Sequence, residues 1–221
     1  MHKLIRLLKR PGGLDPTTFA AKWLADAQAH AQEIPGLVGY VQNHCLPGAY
    51  RKMEPIFDGY SEEYYATPEE RDARGTPAGS PIAMECKARC VTLPVTVAVL
   101  QPGDVPEGAI KSIELIRRRP DVSQADFDLY WLERHGPLAR AIPFLRYEQN
   151  HLTPAAAAAP AIPFHGAAIT WFETTDDMRS AARIEAYRRT RADEINFLEG
   201  PSPLLLATSR VVLRSDHTPG F

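Results

Sequence analysis

A chain of 221 residues, 44% of them hydrophobic, can bury one large core or two cores of roughly 100 residues each, so length alone leaves the domain count open. Lys and Arg total 25 against 27 Asp and Glu, with no basic stripe, which excludes the electrostatic footprint of a nucleic-acid binder. The odd set Cys45, Cys86 and Cys90 lacks CxxC spacing, fits a reducing compartment and offers no disulfide or zinc framework.

In chain order, residues 2–10 form an apolar run broken by Arg6 and ended by Pro11-Gly12-Gly13. The run is too short for a secretory apolar region or a membrane span, so no membrane partner and a cytoplasmic location are expected. It reads as a strand in which Leu4, Arg6 and Leu8 share the face opposite Ile5 and Leu7. Asp15 then caps a helix that has Pro16 at its first position. After Tyr40-Val-Gln-Asn-His44 and Phe57-Asp-Gly59, Thr67-Pro68-Glu69-Glu70 opens a second helix, which Gly75, Pro77, Gly79 and Pro81 cut short. Val97-Ala-Val-Leu100 is strand-like, and residues 101–109 form a turn-rich linker.

The second half follows the same order. Residues 111–117 alternate Ile113 and Leu115 against Ser112 and Glu114, a strand period. Ser123 caps a helix with Asp126 three residues on, and Phe127, Trp131, Leu138 and Ile142 are expected along its buried face. Residues 145–151 and 164–172 read as a strand pair joined by a low-complexity Pro-Ala loop. Thr174 and Thr175, followed by Asp176 and Asp177, start a second helix. Arg210-Val-Val-Leu213 closes the series as Val97-Ala-Val-Leu100 did.

That order is a repeat. Lys3 to Arg10 matches Lys111 to Arg118, and Phe19, Trp23, Ile34 and Pro35 match Phe127, Trp131, Ile142 and Pro143, all at an offset of 108. One residue is then lost. At an offset of 107, Tyr40-Val-Gln-Asn-His44 matches Tyr147-Glu-Gln-Asn-His151, Phe57-Asp-Gly59 matches Phe164-His-Gly166, and Tyr64-Tyr65 matches Trp171-Phe172. The chain therefore divides into a first unit at 1–100, a linker at 101–109, a second unit at 110–213 and a tail at 214–221. The predicted fold class is α+β: two ferredoxin-like βαββαβ units in tandem. A four-stranded sheet with helices on one face leaves the other face bare, so the two sheets are expected to cover each other as an intramolecular, pseudo-dimeric α/β barrel. Arg6 and Glu114 hold equivalent positions with opposite charge. They are expected either to approach each other near the pseudo-twofold axis or to lie solvated at strand edges.

With the opening KLIRLLKR, Tyr130-Trp-Leu-Glu-Arg-His-Gly-Pro137, the paired IPGLVGYVQNH and IPFLRYEQNH, Asp58-Gly-Tyr-Ser-Glu62 and Ala192-Asp-Glu-Ile-Asn-Phe197, the chain resembles a tandem member of the EthD family, within the dimeric α/β-barrel superfamily. The resemblance covers most of both halves and implies the fold. It leaves the reaction open, since relatives include cofactor-free monooxygenases, polyketide cyclases, isomerases and haem enzymes. The halves also differ. His135-Gly136-Pro137 stands where the first copy has Ala27-Gln28-Ala29. Asp58 and Glu62 become His165 and Ile169, and residues 193–197 have no twin near residues 83–85. A single competent pocket in the second half is expected.

His135 lies four residues after Trp131 and eight after Phe127, on the apolar face. There it acts as a general acid or base, or is a core histidine satisfied by a backbone carbonyl or Tyr147. His30 is expected to point inward as a packing residue. Tyr147, Gln149 and His151 share one strand face and Asn150 takes the other. His151 and His165 are expected near each other at the loop mouth, as ligand-binding groups or as solvent-exposed loop residues. No third metal ligand stands at a telling spacing, so no metal is expected. His44 and Asp58 suggest an orienting ion pair in the first copy. Trp131 and Trp171 supply aromatic surface for a pocket or simply for a core.

No Gly-rich phosphate loop or nucleophile elbow is present. The expectation is a cofactor-independent enzyme of degradative or secondary metabolism, moving protons on a small apolar, aromatic or polyketide-like compound. His135 and Tyr147 are the catalytic pair, and Trp131, Asn150, His151, His165 and Trp171 bind substrate. The alternatives are a non-catalytic accessory protein that holds a small hydrophobic molecule, and a haem-using relative with His135 or His151 as axial ligand. The chain is expected as a monomer, the fusion replacing a dimer partner, or as a homodimer.

Overall fold

The computed structural model describes residues 2–51, 53–73, 90–159 and 162–214. Cys86, the breakers from Gly75 to Pro81 and residues 83–85 lie outside them. The chain is α+β, and its residues gather into two compact units, one within Met1–Thr96 and Leu205–Pro219, the other Val97–Leu204. The division between them falls within the strand Val91–Gln101.

The first unit contains β1 (His2–Leu8), α1 (Pro16–His30), β2 (Leu37–Cys45), β3 (Gly59–Tyr65), α2 (Pro68–Asp72), the start of β4 (Val91–Gln101) and nearly all of β8 (Leu204–Leu213). Its sheet order is β4-β1-β3-β2-β8, antiparallel throughout. Asp15 caps α1 by accepting the Thr18 N–H at 2.9 Å. Thr67 and Glu70 cap α2 reciprocally, at 3.2 and 3.1 Å. His30 does not point inward: it is exposed and pairs with Glu33 at 3.2 Å, because α1 ends there and the chain tightens into a 3₁₀ turn. Asp58 is engaged by Lys9 at 3.2 Å, by Arg10 and by the Tyr50 hydroxyl at 2.9 Å, whereas His44 bonds Gln42 Oε1 at 3.0 Å, so the expected His44–Asp58 pair does not form.

The second unit holds the end of β4, β5 (Ile110–Ile116), α3 (Gln124–Tyr130), a π turn (Trp131–His135), α4 (Gly136–Ala139), β6 (Arg146–Leu152), α5 (Pro154–Ala157), β7 (Gly166–Phe172), α6 (Thr175–Ala181) and α7 (Glu185–Asp193). Its sheet order is β5-β7-β6-β4. Ser123 caps α3 at 3.1 Å, and Thr174 caps α6 at 3.1 Å with Asp177 bonding back at 3.0 Å. The Pro-Ala loop is in part a helical turn, α5, because Thr153 accepts the Ala156 N–H at 3.3 Å and Pro154 suits the first helical position. Arg6 and Glu114 each have a counter-ion within their own unit, Glu63 for Arg6 and Arg191 for Glu114, so neither is a solvated strand-edge charge.

The π turn has a local cause. Pro137 lacks an N–H and so cannot bond the Glu133 carbonyl, and the Gly136 N–H reaches back five residues to Trp131 O instead. One inserted residue rotates everything after it by about 100° relative to an unbroken helix. Ala139 is therefore buried while Leu138, expected inside, is 39% exposed.

One set of contacts recurs in each unit. The Gln42 amide donates to Trp23 O at 3.0 Å and the Gln149 amide to Trp131 O at 2.8 Å. Asn43 donates to Tyr60 O at 3.2 Å and Asn150 to Ala167 O at 3.1 Å. His44 and His151 each bond the glutamine two residues back, at 3.0 and 3.1 Å, and lie against Trp23 and Trp131 with ring centroids 4.8 and 4.5 Å apart. The tryptophan also requires a glycine opposite: a Cβ on Gly59 would come within 2.8 Å of Trp23 Cζ3, and one on Gly166 within 2.7 Å of Trp131 Cζ3. The Gln-Asn-His motif thus fastens the first helical segment of each unit to its sheet.

Candidate active site

A cavity of about 210 Å³ lies in the second unit, on the helix-covered face of its sheet. Its floor is one side of three strands: Ser112, Glu114 and Ile116 from β5, Tyr147 from β6, and Ala168, Thr170 and Phe172 from β7. Successive strand residues alternate faces, so Asn150 and Trp171 fall on the other side. Trp131, His135 and Ala139 wall the cavity from the π turn and α4. Met178 comes from α6, Tyr187 and Arg191 from α7, and Glu194, Phe197 and Leu198 from the segment after it. Most of the wall is apolar, and the polar groups gather around His135.

His135 is 6% exposed and sits on the wall because the π turn carries it there. Its Nδ1 bonds Asp193 Oδ2 at 2.9 Å, and among the described residues Nε2 has no hydrogen-bond partner. Asp193 is itself fixed by the Tyr130 hydroxyl at 2.7 Å and the Asn196 amide at 3.0 Å, both on Oδ1. Burial alone would raise the Asp193 carboxyl, but hydrogen bonds from Tyr130, His135 and Asn196 hold it below its ordinary range. A carboxylate at that position takes the Nδ1 proton, which leaves the Nε2 lone pair as the basic atom. Burial lowers His135 below the usual imidazole value in spite of Asp193, so the ring is neutral at neutral pH. The face of Phe197, 4.8 Å away, packs against it.

Beside this dyad lies an ionic cluster. Arg191 Nη1 is 2.5 Å from Glu114 Oε1 and 2.8 Å from Glu194 Oε1. Burial pushes Glu194 up to about 7, with Glu114 and Asp193 adding to the rise and Arg191 opposing it. At neutral pH this carboxyl is therefore partly protonated. Tyr147, 2% exposed, accepts a hydrogen bond from Gln149 at 3.0 Å, and burial raises its phenol so that it stays a neutral donor.

Of the residues singled out in the sequence, the cavity brings together His135, Tyr147 and Trp131. The other four lie outside its wall. Asn150 is buried on the opposite face, with Nδ2 on Ala167 O. Both nitrogens of His151 are engaged, Nδ1 by Asp128 at 2.8 Å and Nε2 by Gln149. His165 accepts the Arg118 N–H at 3.3 Å. Trp171 is fully buried beneath the Lys111 ammonium, 4.7 Å from its ring centroid. Asp193, Glu194 and Arg191 had no role assigned from sequence, and Glu114 had none in this cavity. The signal available was the acidic pair in Ala192-Asp-Glu-Ile-Asn-Phe197, which has no counterpart in the first half.

Cofactor fit can be judged from these groups. A cavity of about 210 Å³ falls below the ~300 Å³ at which pockets for drug-sized ligands begin and does not accommodate a porphyrin. With both nitrogens bonded, His151 is unavailable as an axial ligand. Among the described residues no group of three or more His, Cys, Asp or Glu is placed to hold a metal ion, and no helix is long and apolar enough to cross a membrane.

No curated protein matches the sequence. Among solved structures, an anthrone oxidase-like protein is similar over 96% of this chain and 93% of its own, with a TM-score of 0.66 and 8% identity. A chlorite dismutase variant from Candidatus Nitrospira defluvii is similar over 96% and 91%, with a TM-score of 0.59 and 10% identity. At such identities the likeness is one of fold. An ethyl tert-butyl ether degradation (EthD) family protein from Bacillus halodurans aligns with 44% of this chain and 95% of its own, at 21% identity and a TM-score of 0.37. The family model of the EthD domain matches residues 119–201, the segment that carries Trp131, His135, Tyr147, Asp193 and Glu194.

Proposed function

We propose that the second unit is a small-molecule enzyme that moves a proton on an apolar carbonyl compound of one or two rings, with His135 Nε2 as the base. The observation that carries this reading is the Asp193–His135 pair on the wall of an apolar cavity: the carboxylate occupies Nδ1, so the basic nitrogen is the one left for a ligand. Such a base contributes roughly 10²- to 10⁴-fold when its pKa lies near the working pH. Tyr147 donates a hydrogen bond to the oxygen on which charge develops, and Trp131 and Phe197 pack against the ring system. The fold shared with an anthrone oxidase-like protein agrees with a cyclic, ring-bearing substrate. The step is redox-neutral and calls for no oxidant or reductant.

The test is a panel of one- and two-ring ketones in D2O, with exchange of the hydrogens next to the carbonyl followed by NMR. Wild-type protein accelerates exchange of at least one member, and His135→Asn removes most of the acceleration. Equal rates for the two proteins sink the assignment. Saturable ligand binding with no exchange on any member favours the accessory, non-catalytic reading.

A further inference from the structure

A base that takes a proton from carbon leaves negative charge on the carbonyl oxygen, and the wall of the same cavity holds a second titratable group. Glu194 lines the same cavity as His135, its side chain 16% exposed, and follows directly on Asp193. Among the described residues, Arg191 is the cation that contacts the carboxyl groups of this corner; Arg179 on α6 also borders the cavity, but its guanidinium is largely exposed and held by Asp176 at 2.5 Å. Arg191 Nη1 holds both Glu114 and Glu194, at 2.5 and 2.8 Å, so a single guanidinium faces two carboxyls in a buried setting. Placing a second full negative charge there is costly, and a proton on one of the two relieves it. Around Glu194 the facing groups are Glu114 on β5, His135 on the π turn, Tyr147 on β6, Tyr187 and Arg191 on α7, and Asp193 beside it. None is a second cation of fixed charge.

The arrangement also bears on the substrate. Arg191 is the one guanidinium among these facing groups, and it is already engaged by two carboxyls. An anionic ligand would find its binding cation taken and two carboxyls beside it. A neutral carbonyl finds a proton donor.

Resting on the reading of His135 as base, we propose that Glu194 is the second proton carrier of the site, donating its proton to the carbonyl oxygen of a neutral ketone while His135 removes the hydrogen from the adjacent carbon. The step balances without a co-reactant. The C–H proton passes to His135 Nε2, the electrons of that bond form the new C=C, the carbonyl π electrons pass to oxygen, and oxygen takes the Glu194 proton to give the neutral enol. Glu194 is left as a carboxylate beside Arg191 and His135 as an imidazolium beside Asp193, each next to an opposite charge. Return of both protons restores the ketone, and in D2O the returning proton is a deuteron.

The probe is 2-tetralone, a neutral two-ring ketone, with 2-naphthoate as its anionic counterpart of similar shape. Binding is read by quenching of tryptophan fluorescence, and exchange of the C1 hydrogens in D2O by NMR between pH 5 and 9. We expect 2-tetralone to bind at least tenfold more tightly than 2-naphthoate. Exchange should slow about a hundredfold in Glu194→Gln, recover in part in Glu194→Asp, and lose its dependence on a group near pH 7 only in the Gln variant. Wild-type exchange in Glu194→Gln, alongside inactive His135→Asn, overturns the role of Glu194 and leaves the base in place. Unchanged exchange in His135→Asn overturns both. Tighter binding of 2-naphthoate, no binding of 2-tetralone, or binding of 2-tetralone without exchange each refutes the proposed substrate class.

Discussion

Replacing Asp193 with Asn tests the dyad before any substrate is known. The carboxylate accepts three hydrogen bonds, from the Tyr130 hydroxyl and the Asn196 amide on Oδ1 and from His135 Nδ1 on Oδ2. An amide has one oxygen, and two donors compete for it at the Oδ1 side, so the NH2 group is turned toward His135. The imidazole must then present a lone pair at Nδ1 and carry its proton on Nε2, which inverts the tautomer and turns the basic atom into a donor. At the His135 contact alone, a charge-assisted hydrogen bond of about 1.5–3 kcal/mol gives way to a neutral one of about 1 kcal/mol, a net loss near 1 kcal/mol from that contact. Because Asp193 is what holds the His135 pKa up against burial, the ring also becomes harder to protonate. The assay is 15N-detected NMR of histidine-labelled protein, which distinguishes the two ring nitrogens and titrates them. In wild type Nδ1 carries the proton, in Asp193→Asn Nε2 does, and any exchange activity falls by roughly 10²- to 10⁴-fold. An Asn variant that keeps the Nδ1–H tautomer and the wild-type titration refutes the argument.

Other perturbations follow from the same geometry. The folded-state pKa of Glu194, about 7, lies above its unfolded value of about 4.3. Its contribution to stability is therefore fully present below about pH 4.3 and is lost as pH rises through 7, and Glu194→Gln should flatten the decline between pH 5 and 8 in urea titrations. Parallel pH profiles for the two proteins count against a buried, proton-holding Glu194. For His135 the sign is opposite: its folded value lies below the ordinary imidazole pKa, so wild type loses stability as pH falls below about 6.5, and His135→Asn should lose less over that range. Gly166→Ala brings a Cβ to 2.7 Å from Trp131 Cζ3 and 3.0 Å from Asn150 O, and a cost of about 1–3 kcal/mol in urea unfolding is expected; an unchanged midpoint would show that the tryptophan yields. Thr170→Phe adds bulk to the cavity floor. It should weaken 2-tetralone binding at least tenfold with a thermal midpoint close to wild type, and undiminished binding would place the ligand elsewhere.

How far the sequence revealed this arrangement depended on whether the determining contact was local. Caps were legible because Asp15, Thr67, Ser123 and Thr174 each act on an N–H three residues ahead. Strand parity was legible too, and it separates Tyr147, on the cavity floor, from Asn150, behind it. The π turn was not: an unbroken 3.6-residue period places Leu138 inside, and the missing N–H of Pro137, with the Gly136 N–H bonding Trp131 O, shifts the register. Asp193 escaped notice for a different reason. It is 58 residues from His135, and nothing local to either residue announces the pairing. His151 was misleading because its motif does pack against Trp131, but both nitrogens are spent in holding the helix to the sheet.

The same motif explains why the two units can differ in chemistry while sharing a scaffold. Trp23, Gln42, Asn43, His44 and Gly59 repeat the fastening made by Trp131, Gln149, Asn150, His151 and Gly166, so, Trp131 apart, the residues of the cavity are not the ones that hold the helix in place. On the strand face equivalent to the cavity floor, the first unit has Arg6 where the second has Glu114, and Ser61, Glu63 and Tyr65 where it has Ala168, Thr170 and Phe172. These four groups close on one another: Arg6 grips Glu63 in a bidentate pair at 2.9 and 3.1 Å, and Ser61 and Tyr65 each donate to the same carboxylate at 2.9 Å. A buried carboxylate is tolerable only when its lone pairs are filled in this way. With every partner committed internally, and Ala27 in place of His135, that face has no histidine base to offer a ligand. In the second unit small and apolar residues leave the space open, and the cation that could have filled it instead lies on α7 as Arg191, between Glu114 and Glu194.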